Sequence, residues 1–137
     1  MEESHMFWDT VAPLYNLFEN LYNGKVNKQL QTKVAELIDS NDRVLECACG
    51  AGMLSVPIAK NCRELIATDY SAGMLTQTKK ACKNLPNVQF AKANILQLEY
   101  EDASFDKVVA GNVIHLLDHP KTAIEELLRV CKPGGTL

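Results

Sequence analysis

Four residues in the middle of the chain have types and spacing suited to binding chemistry: Glu46, Gly50, Gly52 and Asp69. The first three lie in VLECACGAG, where an apolar run leads into an acid and then a glycine pair; the fourth ends a second apolar run, LIATD. A glycine loop at the end of a strand lets the backbone approach a ligand closely, because no Cβ intervenes and positive φ is unstrained. A carboxylate ending the next strand can accept hydrogen bonds from both hydroxyls of a ribose, and its charge strengthens them. Asp69 alone does not separate one nucleotide-like ligand from another. Glu46 does, since an acid beside the loop repels a pyrophosphate and favours a ligand with cationic groups. The third position of a G-x-G-x-x-G pattern is Ser55, which further weakens a dinucleotide reading.

Such residues need strands that end together. Arg43 to Cys47, Glu64 to Thr68, Asn87 to Ala91 and Phe105 to Ala110 read as four strands. Between and after them, helices are predicted from Met53 to Asn61, from the N-cap Ser71 to about Leu85, and from Pro120 to a stop at Pro133-Gly134-Gly135. The last helix is expected to bury Ala123, Ile124, Leu127, Leu128 and Cys131. This alternation predicts an α/β fold, a Rossmann-like three-layer sandwich with a mainly parallel sheet and right-handed crossovers. Ligands of such sheets bind beyond the C-terminal strand ends, where strand order reverses. That rule gathers Glu46 to Gly52, Asp69 and Tyr70, Asn94 and Ile95, and Gly111 to His115 around one crevice.

Two helical patterns precede the first strand. Met6 to Tyr22 is apolar at three and four spacing and split by Pro13; Val26 to Asp39 carries Leu30, Val34, Leu37 and Ile38 on one stripe. Trp8, Tyr15 and Tyr22 read as a packing stripe or a lid over the crevice, the two readings being even for Tyr15. The expectation is a single domain over residues 1–137, with 1–40 a helical lid and 41–137 a Rossmann-like core. A fifth strand is expected to start at Thr136-Leu137 and be cut short, the C-terminal strands being missing.

The net charge of -3 argues against a face built to neutralise nucleic acid and favours a small-molecule partner. No apolar run approaches the roughly 18 residues of a membrane span, and the N-terminus lacks a signal-peptide pattern, so the cytoplasm is the default location. Self-association into a homo-oligomer is left open. The five cysteines form no framework and read as reduced thiols. Cys47 and Cys49 lack further paired ligands and read as packing residues. His115 and His119, with Asp118, resemble a metal pair, but Pro120 interrupts the helix they would share, so no metal is expected. His119 reads as a cap or surface residue, and His115 as a lining residue or base. Lys79, Lys80 and Lys83 suit the last turns of a solvated helix.

The ordered blocks VLECACGAG, ATDYSAGML, QFAKANILQL, SFDKVVAGNVIHLLDHP and LLRVCKPGGTL resemble the class I S-adenosylmethionine-dependent methyltransferases, especially the small-molecule group related to ubiquinone and menaquinone biosynthesis enzymes. The N-terminal WDTVAPLYN resembles that group's lead-in helix. The resemblance implies transfer of a methyl group by in-line displacement from S-adenosylmethionine to a small-molecule acceptor, leaving S-adenosylhomocysteine. It implies that Glu46, Ala48, Gly50 and Gly52 line the methionine moiety, Asp69 binds the ribose and Tyr70 packs on the adenine. It places Asn94 on the adenine amino group, Ile95 beside the ring and Asn112 near the methionine portion. No convincing base emerges; Tyr15 and His115 are the catalytic candidates. The chain departs from the family at Ala48, usually glycine, and at Asn94, often aspartate. A non-catalytic S-adenosylmethionine-binding module and a nicotinamide-dependent oxidoreductase are the alternatives.

Overall fold

Arg43–Cys47 (β1) lies at the centre of a five-stranded sheet, and its composition accounts for that position. Val44 and Leu45 point to opposite faces and both are fully buried, as a strand covered on both sides requires. The computed structural model describes residues 24–49, 52–110 and 119–136. In order they form Gly24–Leu37 (α1), β1, Ser55–Asn61 (α2), Glu64–Asp69 (β2), Ala72–Ala81 (α3), Val88–Lys92 (β3), Phe105–Ala110 (β4), Pro120–Val130 (α4) and Cys131–Thr136 (β5). The sheet order is β3-β2-β1-β4-β5 and every pairing is parallel. After β3 the chain crosses to the far side of β1, so strand order reverses between β1 and β4.

The layers divide by face. Val34 of α1, Ile58 and Ala59 of α2 and Leu75 of α3 pack with Val44, Leu65 and Ala67. Leu127 and Val130 of α4 pack on the other face with Leu45, Cys47, Ile66, Phe105 and Val108. This is the expected three-layer α/β sandwich. The helix expected over Met6 to Tyr22, with Trp8, Tyr15 and Tyr22, falls outside the described residues.

Two expectations are corrected at the C-terminal end. β5 begins at Cys131, directly after α4, and covers the β4 edge. Pro133-Gly134-Gly135 therefore sits in a strand instead of preceding one. Its register pairs Phe105 with Cys131 and Lys107 with Thr136, so the extra residues of β5 are absorbed in an irregularity that tolerates proline and glycine. Leu128 is half exposed and Val130 is buried in its place, because the inward stripe runs Ala123, Ile124, Leu127, Val130. Smaller shifts follow from capping. Ser71 accepts from the Met74 amide as the N-cap of α3, but the helix ends at Ala81, with turns through Cys82 and Leu85. Leu37 is half exposed, so among the described side chains of α1 Val34 is the one buried inward, with Ile38 packed just beyond the helix.

Candidate functional site

Glu46 is the penultimate residue of β1 and is only 1% exposed. Its neighbours in register are Ala67 and Val109, both small or apolar, so the carboxyl finds no charge partner within the sheet. Ser55, the first residue of α2 and fully buried, donates its hydroxyl to Glu46 Oε1. Burial pushes the Glu46 carboxyl up to about 8; the Ser55 bond opposes that rise, and the nearby Asp69 charge adds to it. Among the described residues no cation forms an ion pair with Glu46. Ser55, in sequence a departure from a dinucleotide fingerprint, thus holds the acid at the base of the loop.

The loop after β1 is fixed by backbone and hydroxyl groups. Thr68 donates its hydroxyl to the Glu46 carbonyl at 2.8 Å, and the Cys49 amide donates to the Thr68 carbonyl at 3.0 Å. Gly52 N–H closes a turn on the Cys49 carbonyl at 3.0 Å, and Gln31 of α1 donates to the Met53 carbonyl at 2.9 Å. Ala48 adopts φ 57, in the left-handed region that favours glycine. This turn also reverses side-chain direction: Cys47 packs on the α4 side of the sheet and Cys49 on the α2 and α3 side. Burial pushes Cys47 up to about 12 and Cys49 to about 11, so both thiols stay protonated at neutral pH. Gly52 has φ 87, and a Cβ there would lie 3.0 Å from Ala81 Cβ and 3.3 Å from Thr78 Cα. Its missing side chain thus lets α3 pack against the loop.

Asp69 ends β2, and its Oδ1 accepts from the Ser71 amide at 2.9 Å. Tyr70 follows it, 71% exposed, with Lys92 Nζ 5.4 Å from its ring centroid. Asp69 pairs in register with Lys92 at the end of β3. Just beyond, Asn94 forms a tight turn: its Oδ1 accepts from Leu96 N–H at 2.9 Å and its carbonyl from Gln97 N–H at 3.0 Å. Asn94 is exposed, while Ile95 packs partly against the α4-side core. A recess of about 340 Å³ runs beside this turn, lined by Lys92, Asn94, Gln97, Glu99 and Tyr100 among others. A larger open groove between α1 and α2 contains none of the site residues expected from sequence.

The fold thus brings Glu46, Ala48, Gly52, Asp69, Tyr70, Asn94 and Ile95 to the C-terminal ends of β1, β2 and β3. Gly50, Asn112, Tyr15 and His115 lie outside the described residues. His119 occupies the N-cap position of α4, but its side chain makes no cap bond; its carbonyl accepts from Ala123 N–H at 3.2 Å. Among the described residues no cluster of ligating side chains could hold a metal ion, and no helix is long and apolar enough to cross a membrane.

Comparison with known proteins gives the same architecture. Residues 45–137 match the family model described as a methyltransferase domain. The chain is 31% identical over 138 aligned positions to the demethylmenaquinone methyltransferase of Renibacterium salmoninarum, covering 99% of this chain and 57% of that protein. Among solved structures, the YcgJ protein of Bacillus subtilis superposes with a TM-score of 0.72 at 27% identity, over 80% of this chain and 47% of that one. The [4+2]-cyclase SpnF superposes with a TM-score of 0.73 at 28% identity, over 80% and 42% respectively. The chain spans about half the length of the curated relatives it matches.

Proposed function

Because this chain belongs to the methyltransferase-domain family and has the class I S-adenosylmethionine-dependent fold, we propose that it binds S-adenosylmethionine across the C-terminal strand ends and methylates a small-molecule acceptor. The observation that carries this reading is the pair of acids at the C-terminal ends of β1 and β2, Glu46 next to last and Asp69 last, with no cation paired to Glu46 among the described residues. A buried carboxyl without a counter-charge fits a ligand that brings an ammonium and a sulfonium, and does not fit a pyrophosphate. When bound, S-adenosylmethionine supplies a methyl carbon activated by its sulfonium.

Glu46 faces the cationic methionine end, alongside Ala48, Gly50 and Gly52. Asp69 accepts from the ribose hydroxyls, and its existing bond to the Ser71 amide holds the carboxylate in place. Tyr70 is exposed enough to close over the purine. Asn94 and Ile95 meet its edge, and Asn112 lies by the methionine portion. Residues 1–40 serve as the lid, 41–137 as the core, and Tyr15 and His115 are the candidates for handling the acceptor.

Calorimetry with S-adenosylhomocysteine tests the reading. Asp69→Ala is expected to weaken binding by roughly 1 to 3 kcal/mol, about 5- to 150-fold. Absence of binding by the folded wild-type chain would sink it, and unchanged affinity in the variant would remove the ribose role of Asp69. A second reading, a module that binds this cofactor without methyl transfer, is favoured by the likeness to a protein named as a cyclase. Labelled-methyl transfer to demethylated quinones and related phenols separates the two.

A further inference from the structure

The β3–β4 connection, residues 93–104, contains no helix or ladder strand beyond the isolated Asn94–Gln97 bridge. Its backbone must therefore be held by something else. Glu126 and Arg129 of α4 hold it. Glu126 Oε2 accepts from Leu98 N–H at 2.8 Å. Arg129 donates from Nη2 to the Leu98 carbonyl at 2.9 Å and from Nη1 to the Tyr100 carbonyl at 2.8 Å. Nη1 also reaches Asp102 Oδ1 at 2.8 Å, and the Arg129 carbonyl accepts from Ala103 N–H at 2.8 Å. The two clamp residues are locked to each other, Nε to Oε1 at 2.9 Å and Nη2 to Oε2 at 3.1 Å. The guanidinium meets these acceptors from three separate nitrogens held in one plane, a spread that the single nitrogen of an ammonium does not reproduce. Leu98 is buried, and Tyr100 stands edge-on to Phe105 at 5.1 Å, so the clamped segment is also seated in the core.

The Asn94 turn sits between two fixed points, the end of β3 at Lys92 and the clamped Leu98. We propose that Glu126 and Arg129 are positioning residues: they fix the β3–β4 connection so that Asn94 and Ile95 present one rigid edge to the purine of the bound cofactor. Neither residue lines the recess beside that turn, so they act through the loop. The inference rests on the cofactor reading above and adds what sets purine selectivity within it.

The test compares S-adenosylhomocysteine with S-inosylhomocysteine, in which an oxo group replaces the 6-amino group. Affinities are measured on Arg129→Gln, Arg129→Lys and Glu126→Gln, each well below its unfolding midpoint. The wild-type chain is expected to prefer the adenosyl compound by about tenfold. Each variant should lose most of that preference through weaker adenosyl binding, with inosyl binding little changed. Arg129→Lys keeps the charge and serves as the variant best able to fold. It should fail to restore the preference, a pattern that general loss of stability does not produce. A folded Arg129→Lys with the wild-type ratio overturns the clamp and leaves the cofactor reading standing. A folded wild-type chain that binds neither compound overturns both.

Discussion

Replacing Glu46 by glutamine separates what this acid does to the fold from what it does for a ligand. In the folded chain its carboxyl is shut from solvent and pushed up to about 8 by burial, against an ordinary 4.5. Between those values the native state keeps a proton that the unfolded chain has released. Stability from this group is therefore complete below about 4.5 and is lost as pH rises towards about 8. The loss runs at about 1.4 kcal/mol per pH unit inside the window, with a ceiling of about 5 kcal/mol across it. Glu46→Gln has the shape of the protonated acid, leaves Ser55 an acceptor and cannot ionise. It should match the wild type near pH ~5 and exceed it by about 3 to 5 kcal/mol near pH ~8.5, by the same linkage. Urea denaturation at several pH values measures this directly. Acid loss from Asp106 and Glu126 lies below the window, since the Arg43 amide and the Arg129 side chain hold those carboxyls low. The same substitution should abolish tight binding of S-adenosylmethionine. In the wild type, binding near pH ~7 should release close to one proton, about 0.9, seen as a heat that varies with buffer ionisation enthalpy. A wild-type stability curve flat from pH ~5.5 to ~8, or a Glu46→Gln variant with the wild-type slope, refutes the reasoning.

Two further substitutions probe the loop. Ala48→Gly relieves a side chain held at φ 57 and should raise stability by about 0.5 to 1 kcal/mol, after the added unfolded-state entropy is set against the strain removed. Gly52→Ala does the reverse: at φ 87, with its Cβ 3.0 Å from Ala81 Cβ and 3.3 Å from the Thr78 backbone, it should cost about 2 to 3 kcal/mol. Thermal midpoints of the two variants should bracket the wild type.

What could be read in the sequence follows from range. β1, β2, β3 and β4 are legible because each is a short apolar run whose neighbours along the chain already mark its ends, and the acids at 46 and 69 fall where such runs stop. β5 is not, because Pro133-Gly134-Gly135 signals a break unless one knows that the strand carries an irregularity against β4. The same limit governs the site. Ala48 looks like a loss of a glycine until the backbone shows φ 57, at which point the loop is seen to keep the glycine-like conformation at the expense of some strain. Ser55 is nine residues from Glu46 and on another element, so nothing local couples them. Thr68 reaches the Glu46 carbonyl from 22 residues away, and Arg129 reaches the Leu98 carbonyl from 31. Periodicity and turn chemistry report which residues share an element; they carry no information on which hydroxyl or guanidinium satisfies a backbone group on another. The contacts that hold Glu46, the loop after it and Leu98 are of the second kind, whereas those at Asp69 and Asn94 are local turns. The sequence therefore names the groups that would touch a ligand more readily than the groups that hold them still.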